Sequence, residues 1–322
     1  HAGRHDDDPP GEHHDPDGGQ VTLGYRCADS GMTIACAYRH VIDSECDYDV
    51  TTVVNHDLAK SVFTFDAHAN QTIRISKFVT YHTSRGIPAE ELADRCTRTI
   101  DRATSMGRDL ISAEQRSWLD EFWEHSDVEI VGDPAAQQAI RWNLYQLAQA
   151  SARTHEQGIA AKAVTAGGYD GHYFWDTEVY VLPFLAYTNP EAARKLLRFR
   201  FQILDAARAR AAELSQVGAL FPWRTINGEE ASAYYAAGTA QYHINAAVVY
   251  ALEKYLNATG DTDFLADEGA EILVETARMY EDLGFYATNG EERFHIHSVT
   301  GPDEYTTVVN DNLYTCLLYT SP

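Results

Sequence analysis

The segment from His295 to Tyr314, HIHSVTGPDEYTTVVNDNLY, concentrates side chains that can donate, accept or transfer protons. These side chains are His295, His297, Asp303, Glu304, Asn310, Asp311 and Asn312. Gly301-Pro302 predicts a turn that holds Glu304 on a fixed backbone, with Tyr305 beside it as an aromatic wall. A carboxyl group against such a wall stays protonated near neutral pH, which suits a general acid for cleavage of a glycosidic bond. A solvated acidic loop is the alternative, and the segment taken alone favours it.

Two upstream segments combine aromatic and charged residues in the same way. They are Gly167 to Glu178, GGYDGHYFWDTE, and Gly218 to Glu230, GALFPWRTINGEE. Sugars present flat apolar faces, on which Trp and Tyr pack, and hydroxyl groups, which carboxylates and Arg bind. The sugar contacts that this pattern predicts are Trp175, Asp176, Trp223, Arg224, Glu229 and Glu230.

Each of these residues also has a structural interpretation. Trp175 could begin a buried helix that Asp176 caps, and Glu229-Glu230 could be an exposed pair in the first turn of a helix. His243 is interpreted as a core histidine. Three such segments at the same relative place in a helical array nevertheless favour one shared pocket.

The bulk composition excludes several classes of protein. The chain has 322 residues and a formal net charge of -23, from 25 basic and 48 acidic residues. Such a surface repels nucleic acid and anionic membranes, so neither is expected as a partner. There is no apolar run of the roughly 20 residues that a membrane span needs, no glycine-rich phosphate cradle and no HExxH metal motif. The five cysteines form no CxxC pair, which predicts free thiols in a reducing, cytoplasmic setting.

The order of elements predicts a mixed α+β protein with several domains. Residues 1–82 hold a mobile acidic and histidine-rich start and then β-like runs, which predict an antiparallel layer that is part of a β-sandwich. Residues 83–132 predict a helical linker, whose second helix begins near a capping box formed by Ser112 and Gln115. Residues 133–322 alternate buried and half-exposed helices, which predicts an α/α barrel. A loose multi-helix domain is the alternative.

Local signals place several helix ends in the third region. Asp133-Pro134 and Asn189-Pro190 both put an N-cap residue before a proline at the first helical position. The helix from Thr239 to Leu256 is apolar on almost every face, which predicts burial between other helices.

Four motifs together resemble glycoside hydrolase family 65, the family of the maltose, trehalose, kojibiose and nigerose phosphorylases and of the acid trehalases. The motifs are GHYFWDTE, FPWRTINGEE, SAYYAAGTAQYHIN and TGPDEYTTVVNDN. The resemblance runs from roughly Val21 to Thr315. It implies an N-terminal β-sandwich, a helical linker and an (α/α)6 catalytic barrel.

The resemblance also implies roles for residues. Glu304, in GPDEY, corresponds to the general acid of the family, and Trp175-Asp176 correspond to the subsite for the non-reducing glucose. The other substrate contacts that it implies are Trp223, Arg224, Glu229, Glu230, Asp303 and Tyr305. The PWRTINGEE form is more similar to the kojibiose, nigerose and trehalose phosphorylases than to the maltose phosphorylases.

The implied reaction is inverting phosphorolysis of an α-linked glucose disaccharide. Phosphate attacks the anomeric carbon while Glu304 protonates the departing oxygen, which gives β-glucose 1-phosphate and a sugar. Inorganic phosphate is then a co-substrate, and no cofactor or metal is required. Two alternatives stay open: an inverting, trehalase-like hydrolase of the same family, and a sugar-binding module without catalysis.

The family pattern stops at Tyr314-Thr315, and residues 316–322, CLLYTSP, do not continue it. We therefore expect a sequence truncated at both ends, an incomplete barrel and no activity of this stretch alone. The loop that binds phosphate in the phosphorylases, or the second carboxylate of the hydrolases, is expected beyond it. A homodimer is kept open for the full-length protein.

Overall fold

The structure is a computed structural model of the chain. It describes residues 13–14, 19–28, 31–55, 57–151, 157–163, 168–232, 236–287 and 293–320. The chain forms two compact units, His1–Leu119 and Asp120–Pro322. Most of the segment that the sequence predicts to be mobile, residues 1–20, lies outside the described residues.

The strands of the first unit form two antiparallel sheets. They are β1 (His13–His14), β2 (Val21–Arg26), β3 (Thr33–Ser44), β4 (Tyr48–Asn55), β5 (Leu58–Phe65) and β6 (Ile73–Thr83). One sheet has the order β1-β2-β3-β6, and β4 pairs with β5 as a hairpin. The register of β3 and β6 runs from Ile34 opposite Thr83 to Ser44 opposite Ile73. The predicted antiparallel β layer is confirmed.

A long helix packs on the four-stranded sheet. The helix, α1, runs from Leu92 to Ser126, and its buried residues Leu92, Cys96 and Ile100 recur every four positions, as one face of a helix requires. They pack against Ala35 and Ala37, which alternate on the inner face of β3. All five cysteines of the chain are free, as predicted.

The break in α1 lies at Gly107, which has φ 77° and ψ 159°. A positive φ is accessible to glycine because it has no Cβ atom. Ser112 and Gln115 lie inside the helix, so the prediction that they begin a second helix is wrong. The backbone freedom of glycine, and not a capping side chain, separates the two helical stretches.

The second unit is mainly helical. Its helices are α2 (Pro134–Ser151), α3 (Leu182–Thr188), α4 (Pro190–Gln202), α5 (Leu204–Glu213), α6 (Ala236–Thr239), α7 (His243–Thr259), α8 (Thr262–Phe264), α9 (Ala270–Leu283) and α10 (Leu313–Thr320). Two π-helical turns, Thr177–Val181 and Leu265–Gly269, lead directly into α3 and α9. A short antiparallel pair, β7 (Phe285–Tyr286) and β8 (Phe294–His295), follows α9.

The predicted helix starts are confirmed in atomic detail. Oδ1 of Asp133 accepts hydrogen bonds from the main-chain nitrogens of Ala135 at 3.1 Å and Ala136 at 3.0 Å. Oδ1 of Asn189 accepts one from Ala192 at 3.1 Å. These bonds satisfy amide groups that have no partner within their own helix.

The core of the second unit is built around α7. This helix contacts α3, α4, α9 and α10, and its residues Ile244, Val248 and Leu252 are completely buried. Burial on several sides matches the apolar pattern of the sequence. Among the described residues, no helix is both long and apolar enough to cross a membrane.

Candidate active site

The three segments predicted from the sequence meet around residues 238–243, which we call the α6–α7 junction. The first segment reaches it through Trp175, whose indole packs edge-on against the imidazole of His243 at 4.8 Å between ring centroids. Tyr314, from the third segment, lies 6.1 Å from Trp175 and 5.5 Å from His243 by the same measure. The buried histidine thus joins side chains that are distant in the sequence.

The second segment also reaches the junction. A Cβ atom built on Gly238 would lie 3.3 Å from Cε3 of Trp223, so the indole packs directly against the glycine backbone. The ring of Trp223 contacts Phe174 at 5.4 Å. Main-chain bonds of 2.8 and 3.2 Å pair Tyr173 with Thr225. The first and second segments therefore form one packed layer beneath the two tryptophans.

Arg224 adds polar contacts between the same two segments. Its Nη2 lies 3.0 Å from Oδ2 of Asp170 and 3.3 Å from the carbonyl oxygen of Tyr169. The Arg224 side chain is partly exposed and the Asp170 carboxylate is largely exposed. An exposed ion pair of this kind contributes little to stability.

The third segment forms a loop that is closed at its base. Main-chain bonds of 3.0 and 2.9 Å pair Val299 with Val309, and we call the enclosed stretch the 299–309 loop. The amide of Thr300 donates to the carbonyl of Ala240 at 2.9 Å, which attaches the loop to the α6–α7 junction. The predicted turn at Gly301-Pro302 lies further along the chain, because the amide of Thr306 donates to the carbonyl of Asp303 at 2.9 Å and the amide of Gly301 donates to the carbonyl of Thr306 at 3.0 Å.

The tip of the 299–309 loop carries the predicted acid. Asp303, Glu304 and Tyr305 are all exposed. Within the described residues, the carboxylate of Glu304 has no hydrogen bond and no ion pair, so its oxygens are free for a substrate. The Tyr305 side chain is 99% exposed, so the prediction that it forms an aromatic wall is wrong for this structure. The tight turn points the ring away from the packed base of the loop.

Glu230 holds the main chain of the second segment. Its Oε2 accepts a hydrogen bond from the amide of Trp223 at 2.8 Å, and its Oε1 accepts bonds from the amides of Arg224 at 3.1 Å and Ser232 at 3.0 Å. Arg210 completes the set at 3.3 Å from Oε2, with the Glu230 side chain only 8% exposed. The carboxylate therefore positions Trp223 and Arg224, and it has little capacity left for a sugar hydroxyl.

The neighbouring Glu229 differs from Glu230. It is exposed, and its Oε2 accepts a bond from the side-chain amide of Asn227 at 3.1 Å. Neither glutamate lies in a helix, so the alternative of an exposed pair in a first helical turn is wrong.

A second buried carboxylate supports the first segment. Glu178 and Arg200 form two bonds, Nε to Oε1 at 2.7 Å and Nη2 to Oε2 at 2.9 Å, with side chains 3% and 1% exposed. This pair ties the turn after Trp175 to α4. Asp176 precedes that turn, is exposed and makes no side-chain cap, so Trp175 does lead into a helical turn but Asp176 does not cap it. Arg200 was not predicted as part of the site, because an arginine within a helical pattern is typical of an exposed position.

His243, which the sequence predicts to be a core histidine, is completely buried. Burial lowers the pKa of its imidazole to about 4, although a hydrogen bond with the main chain of Gly301 opposes this shift. The ring is therefore neutral near pH 7, and its Nε2 lies 3.1 Å from Oε1 of Gln241. Its location at the start of a buried helix agrees with a core histidine, and its contact with Trp175 adds a role in supporting the site.

Aromatic faces beside carboxylates and a guanidinium are typical of proteins that bind carbohydrates. Residues 141–321 match the model of the glycosyl hydrolase family 65 central catalytic domain, and residues 2–122 match that of the glycosyl hydrolase family 65 N-terminal domain. The chain belongs to glycosyl hydrolase family 65. The two matches agree with the β-rich first unit and the helical second unit, and they confirm the resemblance found in the motifs.

Two curated relatives and one solved structure are similar to most of this chain. The chain is 47% identical over 286 residues to an alpha,alpha-trehalose phosphorylase from Thermoanaerobacter brockii, which covers 89% of this chain and 37% of the relative. It is 34% identical over 274 residues to a kojibiose phosphorylase from Halothermothrix orenii, with 78% and 35% covered. The solved structure of a putative kojibiose phosphorylase from the human microbiome superposes with a TM-score of 0.84 at 29% identity, over 96% of this chain and 41% of that one. The chain thus spans little more than a third of the curated relatives, 37% and 35% of their lengths.

Proposed function

We propose that this chain carries the general acid and the glucose-binding side of an inverting α-glucoside phosphorylase. The observation that supports this most strongly is the convergence of three segments on the α6–α7 junction, with the exposed carboxylate of Glu304 on a loop attached there. Trehalose is the disaccharide we favour, because identity to the trehalose phosphorylase (47%) exceeds that to the kojibiose phosphorylase (34%).

In the proposed reaction, a phosphate oxygen forms a bond to the anomeric carbon as the bond to the bridging oxygen breaks. Glu304 gives its proton to that bridging oxygen, and the products are β-glucose 1-phosphate and glucose. An inverting hydrolase needs a second carboxylate to activate water, whereas phosphate is already an anionic nucleophile. One protein carboxyl group therefore suffices, and the chemistry needs inorganic phosphate but no cofactor or metal.

The other side chains divide into two groups. We assign Trp175 and Trp223 to the flat faces of the sugar. The proposed polar contacts to substrate are Asp176, Arg224, Glu229, Asp303 and the hydroxyl of Tyr305. Glu230 acts indirectly, because its oxygens hold the amides of Trp223 and Arg224.

The setting of the site is also part of the proposal. We infer that the helices belong to an (α/α)6 barrel and that the sheets of the first unit belong to a β-sandwich. The free thiols support a cytoplasmic location. The partners are the disaccharide and phosphate.

The decisive experiment uses a full-length enzyme that contains this sequence, assayed for phosphate-dependent release of glucose 1-phosphate from trehalose. We expect Glu304→Gln to lower the turnover number about 10²–10⁴-fold, the usual contribution of a general acid. Glu281→Gln makes the same change at an exposed position of α9 and should leave turnover unchanged.

A second substrate isolates the role of the proton. Fluoride leaves glucosyl fluoride without protonation, so Glu304→Gln should retain most of its phosphorolysis of α-glucosyl fluoride while it loses that of trehalose. An equal loss on both substrates, or no loss on trehalose, would contradict the assignment of the acid. Turnover of trehalose without phosphate would favour the hydrolase, and sugar binding without turnover would favour a binding module.

A further inference from the structure

Two histidines and an aspartate lie close together just before and just after the 299–309 loop. His295, His297 and Asp311 each offer a ligand atom, and these atoms all lie within 4.8 Å of one another. His295 and His297 precede the loop and Asp311 follows it, so the cluster contains residues from the two chain segments, or arms, at the base of the loop. The proposed reaction uses none of the three.

The cluster is already partly organised. Nδ1 of His295 lies 2.9 Å from Oδ2 of Asp311, and Oδ1 of Asp311 accepts a bond from the amide of Ile296 at 3.1 Å. One carboxylate oxygen thus fixes the orientation of the group while the other faces His295. A hydrogen-bonded ligand held in this way is typical of metal sites, where second partners orient the ligands.

Phe285 holds the two imidazoles in place. Its ring stacks on His295 at 5.7 Å and meets His297 edge-on at 4.8 Å. His297 is exposed, its ring also lies 6.0 Å from that of His295, and among the described residues its side chain makes no hydrogen bond. A small rotation of this exposed side chain therefore brings its nitrogen closer to the other two ligands without breaking a hydrogen bond.

We propose that His295, His297 and Asp311 form a binding site for a divalent transition cation of the zinc class, which clamps the two arms of the 299–309 loop together. Two imidazoles and one carboxylate suit Zn²⁺, Ni²⁺ or Cu²⁺, whereas Mg²⁺ and Ca²⁺ prefer oxygen ligands. Three protein ligands leave a fourth position for water, as in open zinc sites. The exposure of His297 and Asp311 gives the cation a path from solvent.

The experiment uses the 322-residue chain and zinc chloride as the probe. Zinc affinity is measured by competition with a chromophoric chelator, and hydrogen exchange is followed at the amides of Val299 and Val309, which bond to each other across the loop. If the loop opens only when zinc dissociates, a zinc concentration about 100 times Kd slows exchange at both amides about 100-fold. This readout is local, so zinc bound by the histidine-rich residues 1–14 does not contribute to it.

The variants separate the three ligands from other histidines. We expect His297→Asn and Asp311→Asn each to weaken zinc binding at least tenfold and to abolish the zinc-dependent protection. In Asp311→Asn the Oδ1 acceptor for Ile296 is kept, and His297→Asn removes no hydrogen bond to the backbone. The matched control is His68→Asn, since His68 is an exposed histidine 3.8 Å from Asp66 without a third ligand in the described residues. It should behave like the unchanged chain.

Three results would overturn the proposal. The first is zinc uptake without slower exchange at Val299 and Val309, which assigns the metal to other histidines. The second is unchanged protection in His297→Asn and Asp311→Asn. The third is an equal loss of affinity in His68→Asn.

Discussion

The first two segments and the 299–309 loop hold their carboxylates in opposite ways. Glu178 and Glu230 are nearly buried, and charged or amide donors occupy both oxygens of each. Glu304 is exposed at a loop tip without a partner among the described residues. In a chain with 48 acidic residues, the number of bound donors separates the carboxylates that hold the main chain or an arginine from the one that we propose as the acid.

The physical reason is the cost of removing a charge from water. A buried carboxylate is tolerated only when donors replace its lost hydration, and those donors then compete with any substrate. An exposed carboxylate needs no such donors, so its oxygens remain accessible to solvent and ligands. Of the four predictions below, three test this difference between carboxylates and one tests the burial of the His243 imidazole, in order from the largest expected effect to the smallest.

Arg200→Met should destabilise the protein by about 3–5 kcal/mol, because it leaves the charge of Glu178 buried without its partner. Urea denaturation monitored by circular dichroism measures the change. Lys195→Met is the control on the same helix, since its pair with Glu191 at 2.6 Å is exposed and should contribute less than about 1 kcal/mol. Equal losses in the two variants would remove the distinction between buried and exposed pairs.

Glu230→Gln should cost about 2 kcal/mol, the usual range for hydrogen bonds to a charged group. The amide nitrogen that replaces one oxygen cannot accept from the main chain of Trp223 or Arg224. The same denaturation measurement applies, with Glu229→Gln as the control, since Glu229 is exposed and its change should stay within about 0.5 kcal/mol. A smaller loss at position 230 than at 229 would contradict the positioning role.

Stability should fall as the pH is lowered from 7.5 to 5, in part because of His243. Its pKa is about 4 in the folded protein against an ordinary 6.5, so the unfolded chain binds the proton first as the pH falls. This stabilisation is fully present above pH 6.5 and is lost progressively down to pH 4. Between pH 7.5 and 5 the loss amounts to about 2 kcal/mol.

The measurement for His243 is urea denaturation at the two pH values. His243→Gln removes the titrating ring, so the variant should lose about 2 kcal/mol less than the unchanged protein over this interval. Other titrating groups contribute equally to both proteins and cancel in the difference. The same pH dependence in both proteins would show that the imidazole is not held neutral.

Glu304→Gln should change the stability of the chain by less than about 0.5 kcal/mol, because the side chain is exposed and unpaired among the described residues. Thermal or urea denaturation of the variant and the unchanged chain checks this. A loss similar to that of Glu230→Gln would place Glu304 with the structural carboxylates. Unchanged stability combined with a large loss of turnover in the full-length enzyme would show that Glu304 contributes to the reaction and not to the stability of the fold.

The residues that local chemistry governs were predicted well. Asp133 and Asn189 cap their helices as predicted. Each of these features depends on one or two adjacent side chains and on a few backbone angles. The break at Gly107 was misplaced, since a capping-box pattern at Ser112 resembles a helix start even within a helix.

The partners of the acidic and aromatic residues depend on distant parts of the chain. The arginine that pairs with Glu178 lies 22 residues further on, and the histidine under Trp175 begins a different helix. No local pattern states which of several arginines or histidines will be buried there. For the same reason Tyr305, predicted as a wall from its position beside Glu304, is exposed.

The sequence by itself determined the order of strands and helices, their end signals, the family and the three segments that carry the candidate site. Hydrophobic periodicity, capping residues and motif chemistry are local, so they can be read along the chain. Only the tertiary structure decided that these segments meet at residues 238–243, that Glu230 binds the main chain and that Glu304 is exposed without a partner in the described part of the chain. Burial and donor contacts are set by packing between residues far apart in sequence. Packing therefore gives chemically identical carboxylates different exposure and different hydrogen-bond partners.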